Sequence, residues 1–307
     1  MDPLSDVLSL LRPKSYVSSG FSAGGEWAIE FNKQHDRIKC YSVVSGTAWL
    51  AVKDGPPPTC LKEGDCFVLP RGKPFILASD LSVPTVDSST LFPPPQPGGT
   101  VACNGGGDFF LVGSRFAVHG KTAPSLLRML PEIVHIRKDS ERAALHWSIQ
   151  RMITELNERK PGSDLIAQHL AHMILVQALR IELTENSNHD LGWFSALADP
   201  GLGLAIQAIH SDPARKWSLQ ELSACAGMSR SIFAQRFKER VGETPIEYLT
   251  RWRMLLAVDR LENSTDPVSS IALAVGYEAE SAFSTAFKRV MGTSPRQYSF
   301  NRQGSAF

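Results

Sequence analysis

Three sets of side chains have residue types and spacing that could do chemistry. The first is cationic: Arg230, Arg236, Lys238 and Arg240 fall close together, followed by Arg251 and Arg253 and then by Lys288, Arg289 and Arg296. Clustered guanidinium and ammonium groups neutralise phosphates, although any one of them is as readily part of a solvated charged face. The second lies in the first quarter of the chain, where Arg12, Lys14, Arg37, Lys39, Arg71 and Lys73 accompany Trp27, Tyr41, Trp49 and Phe75. Cations beside aromatic rings suit an anionic, ring-bearing small molecule, and the plain alternative is surface charge and core. The third is a pair of thiols. Cys60 and Cys66 bracket a turn near Lys62 and Arg71, and a neighbouring cation lowers a thiol's pKa and raises its reactivity. Buried small hydrophobes are the simpler reading. His169 and His172, at i and i+3, could chelate a metal, but no third ligand lies near them in sequence.

Bulk composition narrows the options. At 307 residues and 43% hydrophobic, the chain can build two ordinary domains, each with its own core. Net charge is only +1: there are 13 Lys/Arg against 11 Asp/Glu from Asp199 onward, and 19 against 20 before it. Binding to a polyanion would therefore depend on where the cations sit rather than on their total. The five Cys, at 40, 60, 66, 103 and 225, form no CxxC pair and are odd in number, which argues against a disulfide framework. No run of about eighteen apolar residues occurs. The start "MDPLSDVLSLL" lacks the basic region and cleavage site of a signal peptide, so a soluble cytoplasmic protein is expected.

The elements that must position the cationic set are written twice. Gly227, Phe233, Phe237, Gly242, Pro245 and Tyr248 return as Gly276, Phe283, Phe287, Gly292, Pro295 and Tyr298, with a tail offset of 50 and a head offset of 49. Each copy reads as helix, tight turn, helix. Ser218 with Glu221 is a capping box opening a helix through Leu219, Leu222 and Ala226, which stops at Gly227. The second helix opens at Ser229 and carries Ile232, Phe233, Phe237 and Val241 as an apolar stripe until Gly242. Between the copies, Pro245 leads a longer helix, 246–261, whose Tyr248, Leu249, Trp252, Leu255, Leu256 and Val258 can bury against both and fix their separation.

The runs "LSACAGMSRSIFAQRFKERVGETPIEYLTRWRM" and "IALAVGYEAESAFSTAFKRVMGTSPRQY" resemble the DNA-binding domain of the AraC/XylS family of bacterial transcription regulators over about the last hundred residues. The second run carries most of the family signature, Gly276, Tyr277, Ser281, Phe283, Phe287, Lys288, Gly292, Ser294, Pro295 and Tyr298. A lone helix-turn-helix is a weak signal, whereas two in tandem at this spacing are a strong one.

The N-terminal half has another rhythm. "IKCYSVVSGTAWLAV", "TCLKEGDCFVLP", "KPFILAS" and, after a Pro/Gly-rich loop at 93–107, "DFFLVGSRFAV" are short strands separated by turn residues, the pattern of a β-sandwich or barrel. "LKEGDCFVLPRGKPFIL", with turns at Gly64-Asp65 and at Pro70-Arg71-Gly72, resembles a cupin, a small jelly-roll barrel. Together with the start "DVLSLLRP" and the pair "YSVVSGTAWL", it resembles the cupin-type sensor domain of some AraC-family regulators. A short amphipathic helix at 4–11 is expected to pack on the strands that follow it. Helical spacing returns at 124–187, with Leu145, Ile149, Ile153 and Leu156 on one face of a first helix. Leu165, His169, Leu170, Met173, Ile174, Val176 and Leu179 lie on the second, after Pro161-Gly162 and the cap Ser163. These helices either form a dimerisation surface, as the resemblance implies, or cover the barrel. Residues 185–190 read as a flexible joint. The expected fold is α+β and multidomain: a cupin-like jelly-roll effector domain at 1–123, a helical dimerisation segment at 124–187, a linker at 188–198 and an all-α double helix-turn-helix domain at 199–307.

The resemblance implies a regulator that binds promoter or operator DNA, forms a homodimer and, as an activator, meets RNA polymerase. By alignment with the family, the base-reading positions are Arg230, Ser231, Ala234 and Gln235 in the first unit and Glu280, Ser281, Ser284 and Thr285 in the second, with Arg236, Lys238 and Lys288 also placed at the DNA. Gln235 suits adenine, and Arg230 suits guanine or phosphate. An Arg commonly occupies the place of Thr285 in the family, so the first unit is expected to dominate specificity. The barrel is expected to hold an effector near Arg12, Arg37, Lys39, Trp49, Arg71, Lys73 and Phe75, with an anion such as a cyclic dinucleotide, or a sugar, as the class. Cupins often hold a metal on two His and a Glu, but Phe75 stands where related sequences commonly show His and "YSVVSG" offers no His-x-His. Neither catalysis, a metal nor a cofactor is therefore expected. A cysteine-based redox sensor and a cupin enzyme with a DNA-binding tail are the rivals.

Overall fold

The computed structural model describes residues 2–32, 37–92, 100–118, 120–137, 143–158, 160–185 and 192–303. Much of the expected joint at 185–190 and the first part of the loop at 93–107 lie outside them. The chain divides into two compact units, Arg12–Asn186 on the one hand and Met1–Leu11 with Ser187–Phe307 on the other.

The first of these is a sandwich of two sheets. Its strands are β1 (Lys14–Ala23), β2 (Ala28–Phe31), β3 (Arg37–Ser45), β4 (Thr47–Val52), β5 (Thr59–Lys62), β6 (Cys66–Leu69), β7 (Phe75–Ala78), β8 (Val86–Asp87), β9 (Val101–Cys103), β10 (Phe109–Ala117) and β11 (Val134–Ile136). They form a six-stranded sheet in the order β11-β6-β3-β10-β1-β9 and a five-stranded one in the order β5-β4-β7-β2-β8. Among the described residues no pairing joins the two sheets into a closed barrel. One apolar core lies between them: Phe21, Tyr41, Val43, Phe67, Phe109 and Leu111 come from the first sheet, and Ile29, Phe31, Leu50, Leu61, Phe75 and Leu77 from the second. The close approach of Tyr41 to β10 depends on Gly113, because a Cβ there would run into the Tyr41 ring.

The sequence pattern did not mark β1, β9 or β11. β1 is held by antiparallel pairing with β10, from Lys14 opposite Ala117 to Ala23 opposite Phe109, across most of the unit's sequence. β11, inside the stretch expected to be helical, adds an edge to β6. Two short helices, α2 (Ser88–Leu91) and α3 (Ala123–Leu127), lie in the connections, and α4 (Ala143–Glu158) and α5 (Ser163–Glu185) pair with each other, α5 packing against β1, β3, β6 and β11. The buried face of α4 is Leu145, Ser148, Ile149, Met152 and Glu155, not the expected stripe through Ile153 and Leu156. The cause is polar: the Glu155 carboxylate accepts from Ser163 Oγ at 2.7 Å where α5 begins, and also pairs with Arg151. Leu165 and Met173, expected on the packed face of α5, are exposed.

The other unit is helical. It contains α1 (Pro3–Leu11), α6 (Trp193–Ala198), α7 (Pro200–Ser211), α8 (Leu219–Cys225), α9 (Arg230–Val241), α10 (Pro245–Asn263), α11 (Val268–Ala274), α12 (Glu280–Met291) and α13 (Pro295–Gln303). The expected helix at 4–11 forms, but it packs on α7 rather than on the strands that follow. Leu4, Val7 and Leu11 are buried, and the Asp6 carboxylate takes the Nδ1 of the otherwise enclosed His210 at 3.0 Å. A hydrogen bond spanning 204 residues of sequence is invisible to local pattern. α10 packs on α8, α9, α11, α12 and α13, so this one helix holds both repeated units.

Candidate nucleic-acid interface

The local sequence builds each half of the interface. At the first unit the capping box forms as expected: Ser218 Oγ accepts from the Glu221 amide while the Glu221 carboxylate accepts from the Ser218 amide at 2.8 Å. These bonds, with Arg215 at 2.6 Å, hold the Glu221 carboxyl down at about 2. Ser229 caps α9, and Gly242 ends it in the left-handed conformation, φ 89°, that only glycine adopts at little cost. Thr244 and Glu247 form a second capping box at the start of α10. The second unit has Gly292 in the same role, φ 77°, yet its helices α11 and α12 begin at Pro267 and Ala279 with no side-chain cap.

The duplicated aromatics are the scaffold. Phe233, Phe237 and Tyr248 stack in sequence at 5.6 Å and 5.6 Å between ring centres, and Phe283, Phe287 and Tyr298 do so at 5.5 Å and 5.8 Å. The two tyrosine hydroxyls then part company. Tyr248 accepts from Trp193 Nε1 at 2.7 Å and meets His210 Nε2 at 2.6 Å, with Trp252 stacked on the imidazole at 4.0 Å. Every group in this buried chain is satisfied if His210 is neutral, its Nδ1–H donated to Asp6 and its Nε2 accepting from Tyr248. Burial, only partly offset by Asp6, pushes the His210 pKa below its ordinary value. Tyr298, by contrast, donates to Glu262 at 2.9 Å.

On the outward face of α9, Arg230, Ser231, Gln235, Arg236 and Lys238 are exposed and Ala234 is half-buried. On α12, Ser281, Thr285 and Lys288 are exposed, and Glu280 and Ser284 are half-buried. The named base-reading positions thus share one face on each helix. Their chemistry differs. Arg230, Lys238, Lys288 and Arg289 make no hydrogen bond or ion pair among the described residues, whereas Arg236 is held by Asp199 at 2.7 Å, at the N-cap of α7. Arg240 donates to Ser195, Arg251 pairs with Glu243 at 2.6 Å, and Arg253 donates to the carbonyls of Pro213, Ala214 and Arg215. These three cations of the sequence cluster are therefore engaged in holding the unit. Gln235 donates to Glu239, Thr285 Oγ1 donates to the Ser281 carbonyl, and Glu280 pairs with Arg296 at 3.2 Å. Ile232, placed in the buried stripe from sequence, is 54% exposed beside Arg230. The i, i+4 count that marks Phe233 and Phe237 as core excludes it, which was the available signal.

The second candidate set is dispersed. Arg37 and Lys39 lie together on β3, and Phe75 is buried with its ring stacked on Phe31 at 4.4 Å. Trp49, 37% exposed, points away from the core-facing residues Ala48 and Leu50. Arg71 Nε donates to the Leu130 carbonyl at 2.9 Å, Lys73 pairs with Glu132 and donates to the Asp54 carbonyl, and Arg12 is exposed just beyond α1. Of the thiols, Cys66 is buried beside Cys40, whose pKa rises through that contact and burial, while Cys60 is half-buried on the other sheet. A raised thiol pKa means less thiolate and slower oxidation. His172 is spent on two carbonyls, Gln168 and Pro13, at 2.9 and 2.7 Å. Among the described residues no group of three or more His, Cys, Asp or Glu could hold a metal ion, and no helix is long and apolar enough to cross a membrane.

Comparison with known proteins covers both units. A family described as Cupin matches residues 2–184, and one described as Helix-turn-helix domain matches residues 222–300. A Streptomyces lividans protein bearing the name AraC-like transcription regulator is 41% identical over 97% of this chain and 98% of its own length. The transcriptional regulator AlkR of Acinetobacter baylyi is 30% identical over 97% and 99%. Among solved structures, the DNA-binding domain of AdpA in complex with a target DNA is 29% identical over 35% of this chain and 96% of its own, with a TM-score of 0.33. With relatives aligned from end to end, this chain belongs to the AraC-like family of DNA-binding transcription regulators.

Proposed function

We propose that the protein is a homodimeric, effector-controlled transcription activator working in the cytoplasm, in which α9 and α12 enter successive major-groove faces about 34 Å apart. The observation that carries this reading is the pair of outward helix faces held on α10, each with unpaired cations: Arg230 and Lys238 on one, Lys288 and Arg289 on the other. These would meet phosphates, while Arg230 and Gln235 read base edges. Trp147 and Leu165, each 59% exposed on the paired helices α4 and α5, support a dimer through that layer. Effector occupancy in the sandwich would shift the population between DNA-competent and incompetent arrangements of the dimer, and the competent form would recruit RNA polymerase.

The test is titration of the full chain with DNA from upstream of its own gene and neighbouring operon, at several salt concentrations, alongside light scattering for the dimer. Sequence-dependent binding that weakens steeply with salt is expected. Equal affinity for scrambled DNA would refute the regulator's specificity, and a monomer at micromolar concentration would refute the dimer. Adding RNA polymerase distinguishes activation, which raises transcript yield, from repression.

A further inference from the structure

β3 alternates in the usual period of two. Tyr41 and Val43 belong to the core between the sheets, so Lys39 and Arg37 share that inward face, while Cys40 and Ser42 look the other way. Lys39 is only 7% exposed. Its register partners are Leu69 on β6 and Arg115 on β10, and its ammonium stands 5.8 Å from the centre of the Phe31 ring. It makes no hydrogen bond or ion pair. Burial, and repulsion from Arg115 and then Arg37, bring its pKa down to about 7, and no carboxylate acts on it in the opposite sense. A buried ammonium with no counter-ion is costly, and here two further cations add to the cost. The face is built for a negative charge that the protein itself does not supply.

We propose that this end of the sandwich is a carboxylate-binding site, with Lys39 as its buried ligand, Arg115 and Arg37 beside it, and the apolar body of a small organic acid against Phe31. The proposal rests on the reading of this unit as an effector domain and gives that effector a chemical class. It differs from a site on the wider cationic rim, since Arg71 and Lys73 are committed to Leu130, Glu132 and Asp54.

The experiment uses the full chain with benzoate and octanoate as probes, benzamide and octanamide as uncharged counterparts, and inorganic phosphate, read by calorimetry and by melting temperature. At least one carboxylate should bind and raise the melting temperature, its amide should bind at least tenfold more weakly, and Lys39→Met should weaken carboxylate binding about ten- to a hundredfold. Without ligand, Lys39→Met should melt no lower than the wild type, because a buried unpaired charge has gone. If that variant does not fold, Arg115→Gln on the half-buried neighbour carries the same test, with Lys73→Met as a control expected to bind normally. Equal binding of the amide, unchanged binding in Lys39→Met, stabilisation by phosphate alone, or no response to either carboxylate at millimolar concentration would overturn the site. Operator binding on the same samples separates the two readings. A bound carboxylate that leaves operator affinity and transcription unchanged refutes the effector role and keeps the site, whereas normal operator binding with no carboxylate response refutes the site alone.

Discussion

The two helix-turn-helix units are copies in their packing and strangers in their surroundings. Both stack two phenylalanines on a tyrosine and end their second helix on a left-handed glycine. The first unit then adds a capping box, a serine cap, an Arg236–Asp199 ion pair and the buried chain Trp193–Tyr248–His210–Asp6. The second has uncapped helix starts, a Thr285 hydroxyl turned onto its own backbone and a Glu280 already paired with Arg296. Duplication preserved what makes the fold and released what decorates it. The consequence is that rigidity and unpaired hydrogen-bonding chemistry are concentrated in the first unit.

The largest effect expected from breaking this contrast is at the tyrosines. Tyr248→Phe leaves the Trp193 N–H and the His210 ring without their shared partner in a buried setting, which should cost about 1–3 kcal/mol, whereas Tyr298→Phe removes one bond to Glu262 and should cost about 1 kcal/mol. Urea denaturation of the two variants measures the difference, and equal losses would remove it.

Acid should separate the units next. His210 has a folded pKa below its ordinary 6.5, so folding holds it neutral. Its contribution is fully present above 6.5 and is lost as pH falls through 6.5 toward the lower folded value, where the unfolded chain takes up a proton that the folded one refuses. The slope from this one group is at most about 1.4 kcal/mol per pH unit. His210→Gln should flatten it, and an unchanged slope between pH 7 and 5 would place the acid sensitivity elsewhere.

The smallest effect is at the caps. Ser218→Ala should cost about 1 kcal/mol, and Ala279→Ser, at a residue already in extended conformation, should return about that much to α12. Paired melting curves read both, and no gain in Ala279→Ser would mean that α12 is already satisfied at its start.

The duplicated domain was legible because its signals are local. Ser218 and Glu221 are three residues apart, Phe233 and Phe237 four, and Gly242 follows directly on the helix it ends. What escaped was set by distance or by context. The docking of α1 depends on Asp6 finding His210, β1 is defined by β10, and the buried face of α4 is turned by Glu155 reaching Ser163. The same holds in the candidate interface. That Arg230 and Gln235 face outward followed from helical period, whereas the pairing of Arg236, Arg251 and Arg253 with groups far along the chain did not. In the sandwich, the sequence placed Lys39 and Arg37 in an effector set with Trp49, and only the register of β3 against β10 separates them, setting Lys39 inward and Trp49 outward.

The asymmetry of base reading is measured most directly by binding Arg230→Ala, Gln235→Ala and Thr285→Ala variants to a panel of operator point mutants. The account predicts that Arg230→Ala or Gln235→Ala relaxes discrimination at its own base position by about 1–3 kcal/mol, tenfold or more, while Thr285→Ala leaves the preference pattern unchanged. A larger loss of specificity from Thr285→Ala than from either substitution in α9 would contradict it.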